Sequence, residues 1–159
     1  MDFRIAGLPA EPFIPFFAMS DADLMRRGAR RVTARLEDAP AMQPCRVSLR
    51  DSQPGEVSIL LAYPHLDLAA SPYRSSGPIF VRQGVTQSVS VMNEVPAQQR
   101  TRLLSVRAYD AAGLMVDAAV IDGTALEAAI GRMFRRREVA FLHAHNAKRG
   151  CYACRIDRV

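Results

Sequence analysis

Short apolar segments separated by turn residues recur along most of the chain, and this pattern limits the fold more than any other feature. The segments are rich in Val, Ile, Tyr and Phe, and Gly, Pro, Asp or Asn stand between them. That arrangement is typical of strands joined by turns. The predicted strands are 3–8, 46–50, 57–63, 79–82, 103–109, 114–121, 139–145 and 151–159.

Helix signals are fewer. Ser20 precedes two acidic residues, which is typical of an N-cap, and Gly28 is a natural stop for a short helix. Thr124 and Glu127 have capping-box spacing and predict a helix that ends near residue 137. With the strands, these signals predict an α+β fold, in which a largely antiparallel sheet carries two or three helices.

Length and composition favour one globular unit. The 159 residues suit a single domain, 1–159, and the 49% hydrophobic and 23% charged content excludes a disordered chain. The apolar run at 59–62 is far shorter than the roughly 20 residues of a membrane span. Three cysteines encode no disulfide framework, and the first residues lack a secretory leader pattern. We therefore expect a cytoplasmic protein that does not bind membranes.

The basic charge raises the question of nucleic acid. The net charge is +5, from 20 arginines and one lysine. The arginines are dispersed, no aromatic residues interleave their two clusters, and the chain has no Trp, so a base-stacking surface is poorly supplied. The sequence therefore disfavours nucleic acid as a partner. Weak nucleic-acid binding is the last of the alternative functions that stay open.

Reactive side chains concentrate near the C-terminus. Segment 143–154 holds two of the three histidines and two of the three cysteines. Because strand side chains alternate, we expect His143 and His145 on one face, whereas Cys151 and Cys154, three residues apart, point to opposite faces. A symmetric turn places Cys151 opposite His145, and a one-residue bulge brings Cys154 forward instead.

Three interpretations of this group stay open. It is a packed hairpin with satisfied histidines, a polar pocket with a catalytic or binding task, or a metal site. The metal interpretation needs both histidines plus Cys151 or a distant ligand such as His65. The spacing alone assigns neither a metal ligand nor a cofactor.

A second group supplies a candidate nucleophile and cations. Cys45 stands next to Arg46, and a guanidinium favours the reactive thiolate. A neutral imidazole is a suitable general base near physiological pH. If the chain is an enzyme, which the sequence leaves undecided, the candidate catalytic residues are His143, His145 and Cys45.

The loop at 73–78 offers hydroxyls and cations before a predicted strand that ends at Arg82, a mixture suited to a carboxylate or phosphate. The leading hypothesis is a pocket for a small anionic ligand around the C-terminal hairpin. The alternative is a metal-stabilised or plain structural domain that works through protein contacts; a homo-oligomer is compatible with both. The candidate ligand-binding residues are Arg46, Tyr73, Arg82, Asn146 and Cys151.

Several motifs together resemble a known family. They are Pro44-Cys45-Arg46-Val47-Ser48-Leu49, Ser71-Pro72-Tyr73, Gly77-Pro78-Ile79-Phe80-Val81-Arg82, His143-Ala144-His145-Asn146-Ala147 and Gly150-Cys151-Tyr152. Phe3-Arg4-Ile5 and Arg155-Ile156-Asp157-Arg158 fit as well, so the resemblance spans nearly the whole chain. In combination they resemble the bacterial family called domain of unknown function 1203. The resemblance implies a compact, single-domain bacterial protein, and it brings no activity, substrate or catalytic residue.

Overall fold

The computed structural model describes residues 2–38 and 43–159, and within them nine strands form two antiparallel sheets. The larger sheet has the strand order β5-β1-β9-β8-β6-β7, and the smaller has the order β2-β3-β4. The strands are β1 (Phe3–Ala6), β2 (Arg30–Thr33), β3 (Val57–Leu66), β4 (Ser75–Arg82), β5 (Ser90–Met92), β6 (Leu103–Tyr109), β7 (Met115–Asp122), β8 (Phe141–Asn146) and β9 (Tyr152–Arg158).

Four α-helices lie in the described ranges: α1 (Ile14–Phe17), α2 (Asp21–Arg26), α3 (Ala97–Arg100) and α4 (Leu126–Met133). The predicted α+β class with a largely antiparallel sheet is confirmed, with four helices in place of two or three. The cap expected at Ser20 is present, because its hydroxyl accepts a hydrogen bond from the Asp23 amide. None of these helices has the length and apolar character needed to cross a membrane.

Helix α4 covers one face of the larger sheet. Its apolar side packs on side chains of β6, β8 and β9 to form the larger core. This core includes Leu126, Ile130, Met133, Leu104, Val106, Leu142, Ala144, Cys154 and Ile156. This core packs against β8 and β9 on the α4 side, so the alternate side chains of these two strands project from the opposite face of the sheet.

The smaller sheet packs toward the other face of the larger one. Ile59 and Leu61 of β3 and Ile79 of β4 share a buried cluster with Tyr152 of β9. The two sheets therefore enclose the face of β8 that carries His143 and His145, which we call the imidazole face.

Several segments differ from the sequence prediction: β2 and β5 are additional strands, and α4 ends at Met133. Residues 46–50 form a turn rather than a strand, with Leu49 at a φ of 48° and the Cys45 amide donating to the Arg50 carbonyl. The predicted loop from 64 to 78 is shorter, because β3 runs to Leu66 and β4 starts at Ser75. Pro64 is tolerated inside β3 because the register shifts there, where an amide is not needed for the ladder.

Candidate metal centre

Strand β8 places two histidines on one face. Its residues alternate: Leu142 and Ala144 belong to the core under α4, while His143 and His145 point away from it. Each histidine is only 1% exposed. The shared face expected from alternation is therefore what the structure has.

The pairing of β8 with β9 differs from a symmetric hairpin. His145 lies opposite Tyr152, and Ala144 lies opposite Cys154, with a bulge between the two pairs. Tyr152 occupies the place expected for Cys151, because the connection is one residue longer than the symmetric turn. Cys154 remains on the α4 side of the sheet despite the bulge.

Strand β3 supplies a third histidine. The register between β3 and β4 shifts between Tyr63 and Leu66, and His65 lies in that irregular stretch. Its ring stacks on Tyr152, with centroids 5.3 Å apart and an interplanar angle of 7°. The stacking holds the half-buried His65 against the larger sheet, facing the two histidines of β8.

The three imidazoles form one cluster. One ring nitrogen from each of His65, His143 and His145 lies within 4.8 Å of the other two. The ring centroids of His65 are 6.0 Å from His143 and 5.0 Å from His145. The cluster includes no carboxylate or thiol from the described residues.

Each ring has one buried nitrogen without a hydrogen-bond partner. These atoms are Nδ1 of His65, Nδ1 of His143 and Nε2 of His145. The Nδ1–H group of His145 donates to the Gly150 carbonyl at 3.0 Å, which leaves a lone pair on Nε2. His65 Nε2 lies 3.4 Å from the Ser75 hydroxyl, so a proton there leaves the lone pair on Nδ1. Two of the three rings are thus oriented by an outer partner, as metal-ligating histidines are.

Burial keeps the imidazoles neutral. It lowers the pKa of His143 to about 2, and nearby positive charge adds to the effect. Burial also lowers the pKa of His145 to about 4, although the Gly150 carbonyl favours its charged form. The pKa of His65 is lowered by burial and then by Arg107. Protons therefore do not compete for these nitrogens near neutral pH.

Aromatic rings surround His143. Tyr109, Phe141 and Tyr152 lie with their ring centroids 5.4, 5.2 and 5.1 Å from that of His143. Burial raises the pKa of Tyr109 and of Tyr152, so both phenols are neutral. The cluster thus has apolar walls that limit the access of water.

Arg107 is the cation that strand β6 places beside His143. It pairs directly with His143 across β6 and β8, so its side chain shares the imidazole face. Arg155 pairs with His143 from β9, but it bonds Asp157 at 2.8 Å and lies over the Phe141 ring. Arg107 is half-buried, and its Nε donates to the Ser105 hydroxyl at 3.4 Å.

Four of the other sequence candidates form a separate group around Arg46. Arg46 is buried, and its Nε donates to the Tyr152 carbonyl at 2.5 Å while Nη2 donates to Cys151 Sγ at 3.2 Å. Asn146 Nδ2 donates to the same sulfur at 3.4 Å. Cys45 is fully buried in the smaller core, where its sulfur accepts from the Arg82 amide. Neither thiol belongs to the histidine cluster.

Tyr73 and Arg82 are placed differently from one another. Tyr73 is exposed, and its ring centroid lies 6.2 Å from that of Tyr109, one ring away from His143. Arg82 pairs with Ser58 at the far end of the β3–β4 hairpin, beside Glu56. Arg82 is seven positions after Ser75 in β4, which is a distance of about 23 Å along the strand. The structure therefore does not bring Arg82 to the histidines.

Sequence reasoning missed Arg107, Tyr109 and Tyr152. Alternation along 103–109 puts Ser105, Arg107 and Tyr109 on one face, which is a usable signal. This pattern does not say what the face packs against until β6 is known to neighbour β8, and the strand order is set by the tertiary structure.

The fold and the cluster together define an α+β protein with two buried imidazoles and one half-buried imidazole between two antiparallel sheets. The chain belongs to the family described as protein of unknown function (DUF1203), whose model matches residues 42–158. That match includes all three histidines and the Arg46 group. No curated protein and no solved structure matches the chain significantly.

Proposed function

We propose that the protein binds a divalent transition-metal ion through His65, His143 and His145 and works through that metal. The observation that carries the proposal is the set of three buried ring nitrogens that have no partner, one on each histidine of a single cluster. An unpaired buried polar atom costs about 1–3 kcal/mol. A single ion bonded to all three nitrogens would remove the desolvation penalty of each.

The spacing suits a small ion. Zinc–nitrogen bonds of about 2.0–2.1 Å in a tetrahedron place the ligand atoms about 3.4 Å apart. The ligand atoms now lie within 4.8 Å, so binding draws the rings together by at most about 1.4 Å. His65 is half-buried and sits in the irregular part of β3, which gives its ring room to move.

The donor set selects the kind of metal. Imidazole suits zinc, copper, iron and nickel, whereas magnesium, calcium and manganese prefer oxygen ligands. The cluster offers three imidazoles and no carboxylate from the described residues. We therefore name zinc as the first choice, since it binds neutral imidazole without redox chemistry.

Three protein ligands leave a coordination position open. Structural zinc sites have four protein ligands, and catalytic sites have three ligands plus water or substrate. A metal with an open position lowers the pKa of bound water or polarises a carbonyl or phosphoryl oxygen. The donor set thus favours a hydrolytic or hydration reaction over a purely structural metal.

Metal titration tests the proposal. We expect chelator-treated protein to bind one Zn²⁺ or Co²⁺ per chain by calorimetry, and cobalt to give the visible bands of a four-coordinate nitrogen–oxygen site. His143→Phe keeps a ring among the aromatic neighbours and removes the ligand. It should weaken binding by more than the roughly 10–100-fold that loss of an outer-sphere partner costs.

Cys151→Ser is the matched control, because Cys151 lies in the same hairpin outside the cluster. It should bind cobalt as the parent does, and the parent spectrum should lack a thiolate charge-transfer band. Absence of stoichiometric metal binding, or equal affinity in His143→Phe, contradicts the proposal.

A further inference from the structure

We infer that Arg107 and the metal together bind an oxyanion, so that the site takes a substrate or ligand with a carboxylate or phosphate group. This inference rests on the proposed metal function and names the class of molecule that the metal centre accepts. Its basis is the position, on the imidazole face, of a guanidinium with no carboxylate partner among the described residues.

Arg107 differs from almost every other arginine in the described ranges. Those arginines are either exposed or have a carboxylate within 4.0 Å, with Arg46 as the exception besides Arg107. The Arg46 guanidinium is occupied by two carbonyls and a sulfur. Within the part of the chain that the structure describes, Arg107 has a weak bond to Ser105 and a hydrogen bond with the Tyr109 phenol. Donor capacity therefore remains on a guanidinium beside the cluster.

The charge of the loaded site is unbalanced without an anion. A divalent ion on three neutral imidazoles adds two positive charges next to the one on Arg107. No carboxylate from residues 2–38 or 43–159 belongs to the cluster, and Asp157 is already paired with Arg155. A buried charge without a counter-charge is costly, so an anion at this position is favoured.

The geometry suits joint binding. Arg107 and His143 are direct cross-strand neighbours, whose Cβ atoms lie about 4.5–5.5 Å apart in an antiparallel pair. Arg107 therefore lies on the same face of the larger sheet as His143 and His145. A guanidinium can bind two oxygens of a phosphate and leave a third for the open metal position, and a carboxylate can bridge the two with one oxygen on each.

Inorganic phosphate is the probe. Cobalt-loaded protein is titrated with phosphate, and its visible spectrum should shift and saturate. Arg107→Gln should weaken phosphate binding by roughly ten- to hundredfold, and Arg107→Lys should recover part of it. The cobalt affinity of Arg107→Gln should be unchanged or higher, because a neighbouring positive charge is gone. A purely structural role predicts that both affinities fall together.

Arg132→Gln is the matched control, because Arg132 is an exposed arginine on α4 behind the other face of the sheet. It should leave both affinities unchanged. A second measurement uses only the parent: phosphate should protect Arg107 from phenylglyoxal, followed by mass spectrometry, when cobalt is bound but not when it is removed.

The outcomes separate the two claims. Failure of the parent to bind cobalt overturns the metal function and this inference with it. Tight cobalt binding without a phosphate response, or an equal response in Arg107→Gln, overturns only the role of Arg107. Protection that is independent of cobalt likewise refutes joint binding by metal and guanidinium.

Discussion

Mild acid should destabilise the metal-free protein through His143. In the folded chain its pKa is about 2, because it is buried and lies near two other histidines and two arginines. The charged groups are Arg107 on β6 and Arg155 on β9, and the titratable neighbours are His65 on β3 and His145 on the same strand. In the unfolded chain the pKa returns to about 6.5.

The sign follows from where the proton binds. Below pH 6.5 the unfolded chain takes up a proton that the folded chain refuses, so protonation favours unfolding. The stability associated with neutral His143 is fully present above pH 6.5 and is lost progressively as the pH falls toward about 2. Between about pH 7.5 and about pH 5, the shift at His143 alone lowers the free energy of unfolding by about 2 kcal/mol.

His143→Phe isolates this contribution. We expect its free energy of unfolding to fall about 2 kcal/mol less than that of the parent over the same pH range. The assay is urea unfolding followed by circular dichroism, with a chelator present at both pH values. Tyr109→Phe is the control, because it changes a neighbouring ring without altering titration in this range, and its pH dependence should match that of the parent. An equal loss of stability in His143→Phe and the parent refutes a neutral, buried imidazole at this position.

Two further predictions concern the Arg46 group. Arg46→Met should lower the free energy of unfolding by about 3 kcal/mol, because the Tyr152 carbonyl and the Cys151 sulfur lose a buried charged donor; thermal denaturation measures it, and a change under about 1 kcal/mol contradicts the argument. Iodoacetamide should modify Cys151 in the native protein and spare Cys45 and Cys154, which are 0% and 1% exposed, whereas Cys151 is half-buried. Peptide mass spectrometry reads the pattern, and equal labelling of all three thiols would show that exposure does not control their reactivity.

The parts of the site that depend on local geometry could be predicted from the sequence. Strand alternation put His143 and His145 on one face, because a period of two is a property of any extended chain. The residue opposite His145 is not predicted correctly. The connection has one residue more than a symmetric turn and a bulge follows it, so Tyr152 rather than Cys151 pairs with His145. Sequence offers no measure of that shift.

The parts that depend on long-range packing could not be predicted. His65 reaches the cluster only because the smaller sheet packs over β8 and β9, and Arg107 joins it only because β6 neighbours β8. Arg82 illustrates the converse. It follows the polar 73–78 segment closely in sequence, but an extended strand carries it to the other end of the sheet.

The histidine cluster weakens the metal-free fold, and this is an argument for its use. Three buried nitrogens without partners each cost about 1–3 kcal/mol, and a flat apolar ring at the same place costs none of it. Mild acid adds a further penalty because the buried rings resist protonation. A bound metal removes the unpaired lone pairs, and at a concentration 100 times its Kd it stabilises the folded state by about 2.7 kcal/mol. The outer hydrogen bonds of His65 and His145 give those two rings a structural use, but they leave one nitrogen on each ring without a partner, and only metal binding uses a nitrogen of all three imidazoles.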